Sequence, residues 1–280
     1  MPPVFTEDLR ARLAERSTLQ HLAAEPLLGL TAGRALLLQL AAPGVAQGVA
    51  DHSDFRDRPL ARLFGTLDFL LITTFGAPEE VERMAARVRG LHNRVTGPDY
   101  SGNDAGLQVW VNATLIDSAL FAYRELMRPG DDERDLAPDY YREATLVADV
   151  LGCPPGAQPA DLAAFDAYMA ETVAALEVSD TAREVARTVL WPARLRALAP
   201  ALWVFRLLTL ATLPPAVREQ YGFRWTHRDQ RLADLFLRLA TDLHHLTPGF
   251  ARRPPRRLLV RLASRRVQAT FKARRARGRA

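Results

Sequence analysis

Residues 78–95, with the sequence PEEVERMAARVRGLHNRV, show most directly what kind of fold this chain adopts. Apolar side chains recur every three or four positions, which is the period of one helix face, and arginines occupy the opposite face. The inward face comprises Val81, Met84, Ala85, Val88, Leu91, His92 and Val95, and the outward arginines are Arg83, Arg87 and Arg94. The segment therefore predicts an amphipathic helix whose last turn points His92 inward.

The same period extends through most of the 280 residues, and no segment shows the two-residue alternation of a β-strand. Prolines near the predicted starts and glycine–proline pairs after the ends mark the helix boundaries. The predicted helices are Thr6–Ala23, Gly33–Ala41, Pro43–Ala50, Pro59–Thr74, Pro78–Val95, Asp104–Met127, Pro138–Leu151, Ala160–Leu176, Asp180–Leu190, Leu195–Leu213, Pro214–Tyr221, Thr226–Leu246 and Pro254–Arg275. We expect an all-α fold, with one large helical domain over residues 1–250 and a C-terminal tail over residues 251–280.

The composition, 48% hydrophobic and 25% charged, is that of an ordinary globular protein. The single cysteine, Cys153, excludes an intramolecular disulfide framework. The N-terminal residues lack the basic start and apolar core of a signal peptide, and no apolar run is long enough to span a bilayer. The sequence therefore predicts a cytoplasmic protein.

The net charge of +5 divides unevenly along the chain. Asp242 is the last acidic residue, and eleven arginines and Lys272 follow it, so the rest of the chain has 25 basic against 32 acidic residues. Leu258, Leu262 and Phe271 interleave the tail arginines, which predicts a basic amphipathic helix. Such a helix docks on the acidic body or contacts an anionic membrane surface, and we do not expect a nucleic-acid partner.

Two neighbouring predicted helices carry candidate functional residues. On Pro59–Thr74, a stripe that contains Arg62, Thr66 and Phe69 lies nearly opposite the main apolar face. A covered stripe with arginine and threonine requires an anionic or polar partner, whereas an arginine at a helix start can also reach solvent. His92 on the next helix fits either a hydrogen-bonded core histidine or a metal or haem ligand.

Asp117 is a third candidate, on the predicted helix Asp104–Met127. It shares a face with Trp110 and Phe121, so its carboxylate requires a hydrogen-bond partner. It can orient an imidazole from behind or fix a contact between two helices. Cys153, directly before Pro154, fits either a thiolate haem ligand or a small apolar side chain at a helix end.

Several blocks of sequence in series resemble one known family. They are Leu36–Leu40 with Pro43 and Gly48–Phe55, Pro59–Thr66, Phe75-Gly76 with Val88–Gly97, Tyr100 with Trp110–Ser118, Ala163–Met169, and Leu213–Pro215 with Tyr221-Gly222. Together they resemble the catalytic domain of the MpaB-like and rubber-oxygenase (latex-clearing-protein) family. The likeness covers roughly residues 15–250.

The resemblance implies a globin-like helical core around a pocket for haem b, with dioxygen chemistry at its iron. By matched position, His92 is the proximal iron ligand, and Arg62 and Thr66 lie on the distal side as catalytic and cofactor-binding residues. We add Phe69, from the same stripe, and Asp117 as further cofactor contacts. The expected partners are dioxygen and a small organic substrate.

The first hypothesis is therefore a haem b-dependent oxygenase acting on a small or isoprenoid-like substrate in bacterial secondary metabolism. Asn112 stands where the family usually has histidine, and Ala42 stands where relatives often have histidine before proline. These departures motivate the alternative of a haem-free helical enzyme or binding protein of the same fold. A third hypothesis is an interaction protein that uses its basic tail.

Overall fold

A computed structural model describes residues 5–53, 59–130, 132–255 and 258–267, without the side chains of residues 59–63, 193, 194 and 196. It confirms the all-α class. The helices are α1 Glu7–Glu15, α2 Ser17–Ala23, α3 Ala32–Ala41, α4 Pro43–His52, α5 Pro59–Phe75, α6 Pro78–His92, α7 Ala105–Phe121, α8 Ala137–Ala144, α9 Leu146–Asp149, α10 Leu162–Ala175, α11 Asp180–Leu190, α12 Ala199–Thr212, α13 Pro215–Gln220, α14 His227–Leu246 and α15 Gly249–Arg252. Pro26–Thr31 and Ala193–Leu198 form 3₁₀ turns, Ala122–Met127 forms a π-helical turn, and residues 258–267 are helical.

Helix α3 lies at the centre of the largest apolar cluster, which includes residues from α2 to α13. Side chains from distant parts of the chain donate to two of its carbonyl groups. One of these, at Leu38, is among the last four carbonyls, which have no partner within the helix. The indole Nε1 of Trp110 on α7 donates to the Leu38 carbonyl at 3.1 Å. The Tyr221 hydroxyl, after α13, donates to the Leu37 carbonyl at 2.6 Å. These bonds join three of the blocks that carry the family resemblance.

The predicted helix Thr6–Ala23 is in fact two helices, α1 and α2, separated at Arg16. The buried guanidinium of Arg16 donates to the carbonyls of Thr73, Thr74 and Gly76 at the end of α5. Burial lowers the pKa of Arg16 to about 10. The chain leaves the helix here because its arginine caps another helix, a cause that local periodicity does not contain.

The expectation of no β-strand is wrong at one point. Thr96–Gly97 (β1) and Tyr100–Ser101 (β2) form a two-residue antiparallel ladder between α6 and α7. The ring of Tyr100 lies over Gly97, where an added Cβ would be 2.2 Å from the ring. Only glycine permits this close approach. With two residues on each strand, the ladder is too short to produce an alternating pattern in the sequence.

No single helix among the described residues is long and apolar enough to cross a membrane. The segments Pro26–Ala41 and Pro43–His52 reach that length and composition only together, and the chain bends by 99° between them.

The helix at residues 258–267 docks on the body beside α5. Ala263 is fully buried, and Val267 packs against the apolar cluster that contains Phe69. Arg266 donates to the buried Asp68 carboxylate at 2.5 and 2.8 Å, with its guanidinium over the Phe64 ring. Of the two arrangements expected for the tail, this segment adopts the docked one; residues 268–280 lie outside the described part of the chain.

We expect Arg266→Ala to lower the free energy of unfolding by about 2 kcal/mol, because it leaves the Asp68 carboxylate buried without its cation. Arg265→Ala is the matched control, since it removes the same charge from an exposed side chain of the same helix. Urea unfolding of both variants measures the difference. Equal stabilities would show that the Arg266–Asp68 pair does not hold the tail.

Candidate active site

The candidate site lies on the hairpin formed by α5 and α6. Only Gly76 and Ala77 connect the two helices, and residues 69–72 of α5 share an apolar cluster with residues 81–88 of α6. Val81, Met84 and Ala85 are buried in one cluster with Phe69 and Ile72. Arg16 donates to three carbonyls at the connected end of the hairpin, and the predicted site residues lie towards the other ends of the two helices.

The predicted ligand and the predicted distal residues lie far from the connected end of the hairpin, at the end of α6 and in the first half of α5. Arg62 lies thirteen residues before the end of α5, and His92 lies fourteen residues after the start of α6. At 1.5 Å per residue, each is about 20 Å from the connected end. Thr66 is one turn closer to it. The side chain of Arg62 lies outside the described part of the structure, so the structure places only its backbone.

Apolar side chains are exposed on both helices of the hairpin. His92 is half-buried and Thr66 is exposed. Phe64, Leu67 and Leu91 expose 40%, 39% and 38% of their surface. Phe64 and Leu67 lie on a different face of α5 from Thr66, and the Arg266 guanidinium lies over the Phe64 ring, so of these three it is Leu91 that adjoins His92.

The structure does not bring Asp117 to His92. The Asn103 side chain donates to Asn93, the neighbour of His92, at 2.7 Å, so α7 starts close to the end of α6. Asp117 lies thirteen residues beyond the α7 cap at Asp104, about 20 Å along the helix axis. Its role as a cofactor contact stays a prediction, as does that of Phe69, which is buried in the α5–α6 core.

Asp117 instead forms an ion pair with Arg34 of α3 at 2.5 Å. Only 9% of the Arg34 side chain is exposed, and its guanidinium also lies over the Phe121 ring. Burial lowers the pKa of Arg34 and raises the pKa of Asp117, and each charge opposes the shift of the other. Arginine starts from so high a pKa that it remains charged. The pair lines a cleft of about 150 Å³ that also contains Arg124 and Asp166.

Two other positions of the sequence analysis have structural partners. Asn112, at the position where the family usually has histidine, is buried and donates to the Ala144 carbonyl at 3.2 Å and to Gln158 at 2.9 Å. Cys153 is buried against Val109, and burial raises the pKa of its thiol. A thiolate is therefore disfavoured there, which favours the interpretation of Cys153 as a small apolar side chain.

A polar network near β2 was not predicted. The Tyr100 hydroxyl donates to Asp51 at 2.7 Å and lies 3.0 Å from His52 Nε2, which is also 3.1 Å from the Thr96 carbonyl. Because that carbonyl can only accept, Nε2 is the protonated nitrogen of His52. Asp51-His52 and Tyr100 belong to different blocks of the resemblance, and their contact joins the end of α4 to β2.

The pKa values of this network determine how it affects stability. The Asp51 carboxylate raises the pKa of Tyr100 to about 12, and the bonds from Tyr100 and Gln47 lower the pKa of Asp51. Folding thus favours the protonated form of Tyr100 and the ionised form of Asp51. The network stabilises the protein between the unfolded pKa values of about 4 and about 10. Its contribution falls as the pH rises from about 10 towards 12, or as it falls through the lowered pKa of Asp51.

We expect Tyr100→Phe to be less stable than the wild type at pH 7, because it removes the donor to Asp51. The difference in free energy of unfolding between the wild type and the variant should narrow at pH 11, because ionisation of Tyr100 is more favourable in the unfolded chain. Urea unfolding of both proteins at the two pH values measures this change. A difference in free energy of unfolding that stays constant or increases with pH would contradict the assigned hydrogen bond.

These features define a class: an all-helical protein with a half-buried histidine at the end of the second helix of a hairpin, next to an exposed leucine. Among the described residues, no three His, Cys, Asp or Glu side chains are grouped as metal ligands. A haem needs only one such ligand from the protein.

The chain belongs to the family described as ER-bound oxygenase mpaB/B'/Rubber oxygenase, catalytic domain, whose model matches residues 19–242. It is 27% identical over 226 residues to the uncharacterized proteins Rv2237 of Mycobacterium tuberculosis and Mb2261 of Mycobacterium bovis. Each alignment covers 76% of this chain and 87% of the relative. No solved structure matches the chain with significance. The family resemblance is thus confirmed, and with it an oxygenase-type function in general terms.

Proposed function

We propose that this chain is a haem b-dependent oxygenase that uses dioxygen to oxidise a small or isoprenoid-like organic substrate, with His92 as the protein ligand of the iron. The observation that carries the proposal is the position of His92. It ends α6, inside the matched family region, and Arg62 lies about as many residues from the connection on α5 as His92 does on α6.

The residues at the end of α6 fit a haem group. His92 supplies an imidazole, the usual protein ligand of haem b in helical proteins. Leu91, the neighbour of His92, is exposed and offers apolar surface of the kind that a macrocycle covers. When bound, the haem iron would supply the binding and activation of dioxygen.

Arg62 and Thr66 are proposed as catalytic residues because both can donate hydrogen bonds. They lie one helical turn apart, so their side chains share one stripe of α5. The Arg62 guanidinium stays charged at neutral pH and can bind an anionic group, and the Thr66 hydroxyl can orient a neutral polar one.

The test is the absorption spectrum of the purified protein before and after reduction. We expect a Soret band, and dioxygen uptake when an isoprenoid substrate is added. Arg62→Ala should weaken cyanide binding about tenfold through loss of a charge-assisted contact. Thr73→Val is the control, since Thr73 lies on the same stripe but is fully buried. A colourless protein that gains no Soret band on haem titration would overturn the proposal and favour the haem-free alternative.

We further propose a cytoplasmic location, a role in bacterial secondary metabolism, and contact of the basic tail with anionic membrane. The tail contact is supported by the twelve basic residues after Asp242 and by Leu258 and Leu262, which remain exposed after docking.

A further inference from the structure

The outer face of α14 carries a stripe of exposed leucines. Its members, which we call the leucine stripe, are Leu232, Leu235, Leu239, Leu243 and Leu246, and they expose between 40% and 81% of their surface. Their spacing of three and four residues places them along one side of the helix, over about 21 Å. A contiguous exposed apolar surface of this length marks an interaction site more often than a free surface.

The position of α14 on the body keeps the leucine stripe pointing outward. Its inner face is buried at Ala233 and Thr241, and the Thr241 hydroxyl donates to the Leu126 carbonyl at 2.9 Å. Two further apolar side chains lie close by: Trp203 of α12, whose ring is 6.0 Å from Phe236, and Phe250, which is 88% exposed. The stripe is therefore a fixed feature of the surface.

The charges along the stripe indicate what covers it. Arg228, Arg231 and Arg238 are exposed at its start and along one border. Of the three acids of α14, only Asp242 is exposed, whereas Asp229 and Asp234 are half-buried and accept hydrogen bonds from Thr226 and Gln230. A second copy of the chain packed on this face would bring arginine borders together with few acids to match them. Anionic lipid headgroups offer the complementary charge, and the bilayer interior accepts leucine side chains.

We propose that the leucine stripe lies in the plane of an anionic bilayer surface, with its leucines below the headgroups and Arg231 and Arg238 on lipid phosphates. Trp203 and Phe250, at the edge of the stripe, fit the headgroup boundary. This surface is separate from the tail helix at 258–267. The inference does not depend on haem or on oxygenase activity.

The test is sedimentation of the full-length protein with vesicles of phosphatidylglycerol and phosphatidylcholine. We expect Leu235→Ser/Leu239→Ser to weaken partitioning about tenfold or more, because two leucines leave the acyl boundary. Leu258→Ser/Leu262→Ser alters two leucines of similar exposure on the tail helix and measures the separate contribution of the proposed tail contact, which we expect to be smaller because the tail exposes two leucines and the stripe five. Arg231→Glu/Arg238→Glu should also reduce binding, whereas Arg83→Glu/Arg187→Glu makes the same charge change on other exposed surfaces.

Each outcome bears on the proposal. Loss of binding in the tail variant alone would overturn the α14 assignment and assign the membrane contact to the tail. Equal binding to phosphatidylcholine alone would overturn the role of the arginines. A wild type that binds neither vesicle, but forms dimers that Leu235→Ser/Leu239→Ser converts to monomers, would assign the stripe to a second copy of the chain. None of these readouts changes if the protein proves haem-free.

Discussion

His92→Ala should remove the Soret band of the purified protein, with haem content reduced at least about tenfold, while the far-ultraviolet circular dichroism stays nearly unchanged. In the proposal, the coordinate bond from His92 to the iron is the bond that joins protein and haem, so its loss directly weakens haem retention. The fold should survive, because His92 is the last residue of α6 and only half-buried. Addition of imidazole to the variant should restore part of the band.

Two histidine variants serve as controls for the loss of a ring. His52→Ala removes the contacts to Tyr100 and the Thr96 carbonyl, and His227→Ala alters the exposed first residue of α14. Both should retain the haem spectrum. A His92→Ala protein that keeps its full Soret band would withdraw the ligand assignment, and loss of the band in His52→Ala would assign the ligand to His52 instead.

The helices could be predicted from the sequence because their boundaries are local. Thr226, for example, caps α14 through its own hydroxyl, and Pro78 starts α6. The break at Arg16 could not be predicted, since its cause is three carbonyl groups about sixty residues away. The prediction of one helix over Pro138–Leu151 is also wrong, because the chain forms two helices there, α8 and α9, with Thr145 between them.

The candidate site, too, could be predicted only in part from the sequence. That Arg62 and His92 lie about equally far from the connected end of a hairpin follows from helix lengths and the short connection, both visible in the sequence. The partner of Asp117 was missed, although one signal could have found it. Arg34 stands alone before the apolar run Ala35–Leu38, and a lone arginine within a core helix requires a buried acid. Which acid supplies the charge depends on how α3 packs against α7, which periodicity does not determine.

The Arg34–Asp117 pair supports the second large prediction. Arg34→Ala should lower the free energy of unfolding by about 3 kcal/mol, because it leaves a mostly buried carboxylate without its cation and removes the contact with Phe121. Arg124→Ala is the matched control on the same cleft. It breaks the exposed pair with Asp166, at 3.5 Å, and should cost less than about 1 kcal/mol.

The double variant Arg34→Met/Asp117→Leu separates the cost of an unpaired charge from the value of the pair itself. Replacing both partners by apolar side chains leaves no buried charge, so we expect it to recover most of the stability lost in Arg34→Ala. Additive losses would instead mean that the two residues act independently. The haem spectrum of the same proteins tests the predicted cofactor role of Asp117. If Asp117 only joins α3 to α7, as its distance along α7 from His92 suggests, the double variant keeps the wild-type Soret position; a shifted band would show that Asp117 acts on the cofactor.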